Sequence, residues 1–154
     1  MNSARKNKEN TNNKVYSKTD VVRLSVPAQH KFLNVVGTCI RALITNEGDV
    51  PDKSALIYNI ELAVHEACAN IVEHAYAGLS GRIEVVFTLV EEPRQLIVEL
   101  GDNGRSFDLS TVTAPDLDQP NTSGYGLFLV HQLMDKVDYF PEPGNNLWRL
   151  VKQY

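Results

Sequence analysis

Apolar residues change period along this chain, and each change marks an expected element. Val21 to Val26 (VVRLSV) is short and rich in β-branched residues and is stopped by Pro27, which predicts a strand at a sheet edge. From His30 to Asn46 the spacing turns helical, with Phe32, Val35, Val36, Cys39, Ile40, Leu43 and Ile44 forming one stripe before Gly48 and Pro51. A longer helix is predicted from about Lys53 to Tyr76, its apolar face made by Leu56, Ile60, Ala63, Ala67 and Ile71 and its end marked by Gly78. Arg82 to Val90 and Arg94 to Leu100 alternate around Glu91-Glu92-Pro93, the pattern of a β-hairpin with one buried face. Periodicity is lost from Asp102 to Ser123, a stretch with Pro115, Pro120 and several Asp residues, and residues 105–123 are expected to form a lid. Helical spacing returns from Tyr125 to Lys136, and Asn146 to Lys152 reads as a closing strand.

Helices gathered on one face of a mixed, mostly antiparallel sheet give an α+β fold, a two-layer α/β sandwich. Residues 1–19, dominated by Asn, Lys, Ser and Thr, cannot bury enough surface to offset the entropy of ordering and are expected to be a mobile tail. Residues 20–154 then form one domain, an ordinary size for a single core.

Composition narrows the function. With 43% hydrophobic and 22% charged residues the chain is neither disordered nor of the disulfide-dense secreted kind. A formal net charge of −4 denies it the positive field that binding to a phosphate backbone needs, so direct contact with nucleic acid is not expected. Cys39 and Cys68 fall inside amphipathic runs and are expected as core thiols. No apolar run approaches the ~20 residues of a membrane span and none near the start reads as a signal peptide, so the expected location is the cytoplasm.

Three segments carry candidate chemistry. Glu66, Asn70 and His74 recur every four residues and share a helix face, pairing a proton acceptor with a carboxamide oxygen suited to Mg²⁺. A zinc-protease reading of His65-Glu66 fails because position 69 is Ala. Asp102-Asn103-Gly104, where the hairpin's second strand ends, offers an acceptor beside a sharp turn. Gly124-Tyr125-Gly126-Leu127 opens a helix whose N-terminus suits phosphates, although no Walker lysine follows and the third Gly of a dinucleotide fingerprint is absent. Taken singly, the three also fit an exposed polar face, a simple turn and an ordinary Gly-x-Gly.

Their order and spacing together resemble the GHKL superfamily of ATPases from about Val21 to Lys152. Glu66…Asn70 is similar to the N box, Asp102-x-Gly104 to the adenine-reading G1 box and Gly124-x-Gly126 to the G2 box. Within that superfamily, Glu66-Ala-x-x-Asn70-x-x-x-His74-Ala75-Tyr76, Ser106-Phe107-Asp108 and Gly124-Tyr125-Gly126-Leu127 followed by Leu133-Met134-Asp135 resemble the anti-sigma-factor serine kinases. Ser106 and Phe128 stand where many histidine kinases have Gly.

The resemblance implies a Bergerat-type ATP-binding fold and a set of roles. Glu66 would be the catalytic base and Asn70 the Mg²⁺ ligand. Asp102 would accept from the adenine amino group. Gly104, Phe107, Gly124, Tyr125, Gly126 and Leu127 would line the nucleotide. His74 would bind it or hold the helix. The implied substrate is a serine on an anti-anti-sigma partner of STAS type, with a sigma factor as a further partner and a homodimer possible through the His30–Asn46 helix and first strand. Two other readings stay open: a nucleotide-dependent binding module without phosphate transfer, and a detached ATPase domain of histidine-kinase type.

Overall fold

The computed structural model describes residues 18–108 and 124–154. Nearly all of the expected tail and the part of the expected lid beyond Asp108 lie outside the described residues. The elements run β1 (Thr19–Pro27), a 3₁₀ turn (His30–Phe32), α1 (Leu33–Asn46), α2 (Lys53–Asn70), a π-helical turn (Ile71–Tyr76), β2 (Arg82–Glu91), β3 (Arg94–Asp102), α3 (Tyr125–Leu133), β4 (Lys136–Phe140) and β5 (Asn146–Gln153).

The five strands form one sheet in the order β1-β2-β3-β5-β4. Every neighbouring pair is antiparallel. The expectation of a mixed sheet is corrected to that extent among the described strands. Side chains alternate across a strand, so Ile83, Val85, Phe87 and Leu89 of β2 share one face. Register sets Val22 and Val98 beside Phe87, Leu24 and Leu100 beside Val85, and then Leu150 and Trp148 beside Val98 and Leu100. That face meets Val36, Ile40 and Ile44 of α1, Ile57, Ile60, Val64 and Ala67 of α2, and Val130 of α3 in one core. Phe87 is fully buried at its centre, and truncating such a ring to Ala costs about 3–5 kcal/mol.

One element departs from the pattern reading. The last helix ends at Leu133, not at Lys136, and Lys136–Phe140 is an edge strand that the spacing does not predict. Leu129, Val130, Leu133, Met134 and Val137 keep a three-and-four spacing straight through the break. Met134 is already extended, with φ −101° and ψ 149°. From there Val137 and Tyr139 take up a period of two, facing Leu150 and Trp148 across β5.

The long helix is a single run in two winds. Asp52, in the left-handed region at φ 43°, caps its start by accepting from the Ala55 N–H at 3.3 Å. After Asn70 the α-helix passes into the π turn, and Ala77 N–H bonds the Val72 carbonyl five residues back at 3.2 Å. Ala77 and Gly78, both at positive φ, end it. Such wide turns concentrate at functional sites, and this one lies beside the end of β3.

Candidate active site

Asp102 is the last residue of β3 and only 4% exposed. A buried carboxylate needs donors, and two reach its Oδ1: the Gly104 N–H at 2.9 Å and the Asn146 amide at 3.0 Å. Neither of these bonds uses Oδ2. The turn is pinned from beneath, where Arg105 N–H bonds the Ala75 carbonyl at 2.8 Å and Asn103 N–H bonds the Tyr76 hydroxyl at 3.1 Å. Tyr76 in turn donates to the Arg82 carbonyl at 2.7 Å. Position 104 must be Gly for this packing, because a Cβ there would sit 2.5 Å from the Ala75 carbonyl oxygen.

Asn70 closes the α-helical part of α2 and lines a cavity with Ile71, Ala75, Asp102, Phe107, Tyr139 and Trp148. Its Nδ2 is buried without a hydrogen-bond partner among the described residues. One turn earlier, Glu66 is half-buried, with its Oε2 where a side chain on Gly126 would stand. Gly126 belongs to the first turn of α3, which starts from Gly124 at φ 94° with no side-chain cap. The first helical bond there runs from Phe128 N–H to the Gly124 carbonyl at 3.1 Å, so the amides of residues 125–127 have no acceptor inside the helix.

The three predicted segments therefore meet at one end of the sheet, but their members separate. His74, within the π turn, is exposed, and its ring stands 5.5 Å from that of Phe107. Leu127 is 8% exposed and belongs to the core. Tyr125 is exposed, beside Phe128. Phe107 does line the cavity, its ring 6.4 Å from Trp148 and 6.5 Å from Tyr139. Tyr139 and Trp148 stack at 4.4 Å.

Three lining or bracing residues escape the sequence reading: Tyr139, Trp148 and Asn146. Tyr139 sits on the unpredicted β4, and its hydroxyl accepts from the Phe107 N–H at 2.7 Å. Burial raises that hydroxyl's pKa above its ordinary value; the Phe107 bond works against this and the Asp102 charge adds to it. Asn146 is 1% exposed and pairs in register with Asp102. The signal for it was a polar residue at the start of the alternating face that Trp148 and Leu150 continue.

The residues present fit a magnesium nucleotide. The Asn70 carboxamide oxygen and the Glu66 carboxylate offer the few hard oxygen ligands that Mg²⁺ takes beside water and phosphate, and the orphaned, buried Asn70 Nδ2 is a spare hydrogen-bond donor for a ligand acceptor. The uncapped helix start suits an anion. The cavity is narrow, about 10 Å³, room for roughly one water. A wider groove of about 350 Å³ between α1 and α2, lined by Gly37, Arg41, Tyr58 and His65 among others, contains none of the three motifs. No helix among the described residues is long and apolar enough to cross a membrane.

Comparison with known proteins agrees with this geometry. Residues 33–152 match the model of the histidine kinase-like ATPase domain. Serine-protein kinase RsbW of Halalkalibacterium halodurans is 32% identical over 133 residues, 81% of this chain and 78% of its own. The Staphylococcus aureus RsbW is 30% identical over 138 residues, covering 83% and 84%. Among solved structures, the RsbU and RsbW domains of a Mycobacterium tuberculosis protein superpose with a TM-score of 0.63 at 19% identity, over 86% of this chain and 32% of that one. The histidine kinase domain of a blue-light activated kinase from Erythrobacter litoralis gives 0.53 at 20% identity, over 82% and 61%. At those identities the structures speak for the fold alone. The domain match and the RsbW relatives together establish that this chain belongs to the RsbW family of serine-protein kinases, built on the histidine kinase-like ATPase domain.

Proposed function

We propose that this kinase binds Mg²⁺-ATP between the α2–π junction, the Asp102 turn and the start of α3, and transfers the γ-phosphoryl group to a serine of a STAS-type anti-anti-sigma protein in the cytoplasm. The observation that carries it is the unpartnered, buried Asn70 amide in one cavity with Asp102, one helical turn from a carboxylate lying against Gly126. Asp102 accepts from the exocyclic amine of adenine. Amides at the start of α3 receive the phosphates. Asn70, with Glu66 beside it, would hold Mg²⁺, which would offset phosphate charge.

Phosphoryl transfer asks a protein mainly for position and electrostatics. As the serine Oγ–P bond forms and the P–O bond to ADP breaks, the hydroxyl proton passes to Glu66. Glu66 needs access to a protein substrate, and its half-buried position gives it that. Family resemblance further supports a sigma factor as a second, sequestered partner.

The test is a pulldown from native extract with and without Mg²⁺-ATP, followed by transfer of labelled γ-phosphate to the captured proteins. A serine-labelled STAS-domain protein is the expected product. Absence of transfer to any captured protein would favour a binding module instead.

A further inference from the structure

Among the described residues, Asn146 makes more hydrogen bonds than any other side chain around the cavity, although the chemistry above does not use it. It is 1% exposed at the start of β5. Its Nδ2 donates to Asp102 Oδ1 at 3.0 Å, to the Gly104 carbonyl at 3.1 Å and to the Arg105 carbonyl at 3.3 Å. Its Oδ1 accepts from the Ser106 hydroxyl at 2.7 Å and from the Glu142 N–H at 3.3 Å. These partners fix the amide's orientation: turned over, its oxygen would face three acceptors and its NH₂ two donors.

We infer that Asn146 is a positioning residue that sets nucleobase specificity by orienting Asp102. This rests on Asp102 as the adenine acceptor. Two donors, the Asn146 amide and the Gly104 N–H, converge on Oδ1. They hold the carboxylate in one rotation, with Oδ2 as the oxygen available to the exocyclic amine. The same amide ties the carbonyls of Gly104 and Arg105 to β5, so the turn and the acceptor move as one unit. A side chain without donors at position 146 leaves two carbonyls short of a partner and Oδ1 with the Gly104 N–H alone, and a carboxylate held at one point is free to rotate about it. A carboxylate at position 146 would set its charge against those same acceptors.

The experiment compares binding of ATP and of purine riboside triphosphate, which lacks only the 6-amino group, by calorimetry. The wild type should prefer ATP. Asn146→Ala should lower ATP affinity about tenfold or more while the deamino analogue changes little, as expected for losing one hydrogen bond to a buried charged group. A purely structural role would weaken both nucleotides equally and leave their ratio intact, which overturns the proposal. Should Asn146→Ala not fold, Ser106→Ala decides on the same ratio, since Ser106 is exposed and bonds only the far side of the amide. The expected fall there is about two- to threefold, and an unchanged ratio rejects the role. A wild type that binds both nucleotides equally removes the Asp102 reading itself, and this inference with it.

Discussion

The Glu66 carboxylate occupies the space that a side chain at Gly126 would take. The proposed base on α2 and the glycine in the first turn of α3 are thus fitted to each other, and the missing Cβ has a local cause besides access to phosphate. Gly126→Ala should therefore displace Glu66. Its direct cost falls on a half-buried side chain at a helix start, where Ala is itself a good helix residue. We expect phosphate transfer to drop at least tenfold, by analogy with small misplacements of reacting groups, with thermal stability nearly unchanged. Single-turnover transfer beside a melting curve checks both.

Gly104 is constrained by backbone and so should respond in the opposite way. A Cβ there meets the Ala75 carbonyl carbon and oxygen, which belong to the π turn and cannot rotate aside. Gly104→Ala should cost about 1–3 kcal/mol as an overpacked site, lowering Tm by roughly 2–4 °C for each kcal/mol. Gly101, two residues before Asn103 on β3, is the control. Its added Cβ would find ordinary contacts at 3.8 Å, so Gly101→Ala should leave Tm unchanged or slightly raised. Equal losses at both positions would mean that packing on Ala75 is not what fixes Gly104.

Asp102 combines both effects. Asp102→Ala should abolish the preference for ATP over GTP, with a loss for ATP of about 1–3 kcal/mol from the unsatisfied adenine donor. It should also destabilise the protein, because the Gly104 N–H and Asn146 amide lose their acceptor. Calorimetry with the two nucleotides separates the terms. Equal affinity for ATP and GTP in the wild type would take Asp102 out of base recognition.

The sequence made the three motif segments legible because each stands out against a regular period. Asp102 terminates the alternation of β3, Gly124 precedes the apolar start of α3, and Glu66 and Asn70 recur at one-turn spacing beside the apolar face of α2. Residues that act through long-range pairing were not legible. Asn146 lies 44 positions from Asp102 and meets it only because β5 inserts between β3 and β4. Tyr139 was hidden for a different reason: Leu133, Met134 and Val137 continue a helical spacing across the start of β4, so local pattern favoured the wrong element.

Glu66→Gln gives the sharpest separation of binding from chemistry. Glu66 and Asn70 lie one turn apart on α2, so they can approach the same γ-phosphate, one through a hydroxyl proton and the other through the metal. The amide keeps the size of the side chain and its fit against Gly126. It keeps no proton acceptor of comparable basicity, an effect often worth ~10²–10⁴ in rate. Mg²⁺-ATP affinity should stay within a few-fold of wild type, since the proposed holds on adenine, at Asp102, and on the phosphates, at the start of α3, are untouched. Asn70→Ala should behave differently, weakening nucleotide binding itself and most strongly when Mg²⁺ is present, because it deletes the proposed ligand and not the base. Titrations of both variants with and without Mg²⁺, run beside transfer of labelled phosphate to the captured STAS-domain protein, give the four numbers needed. Full transfer by Glu66→Gln would show that the proton leaves by another route, and equal Mg²⁺ dependence in Asn70→Ala and wild type would show that the metal is held elsewhere.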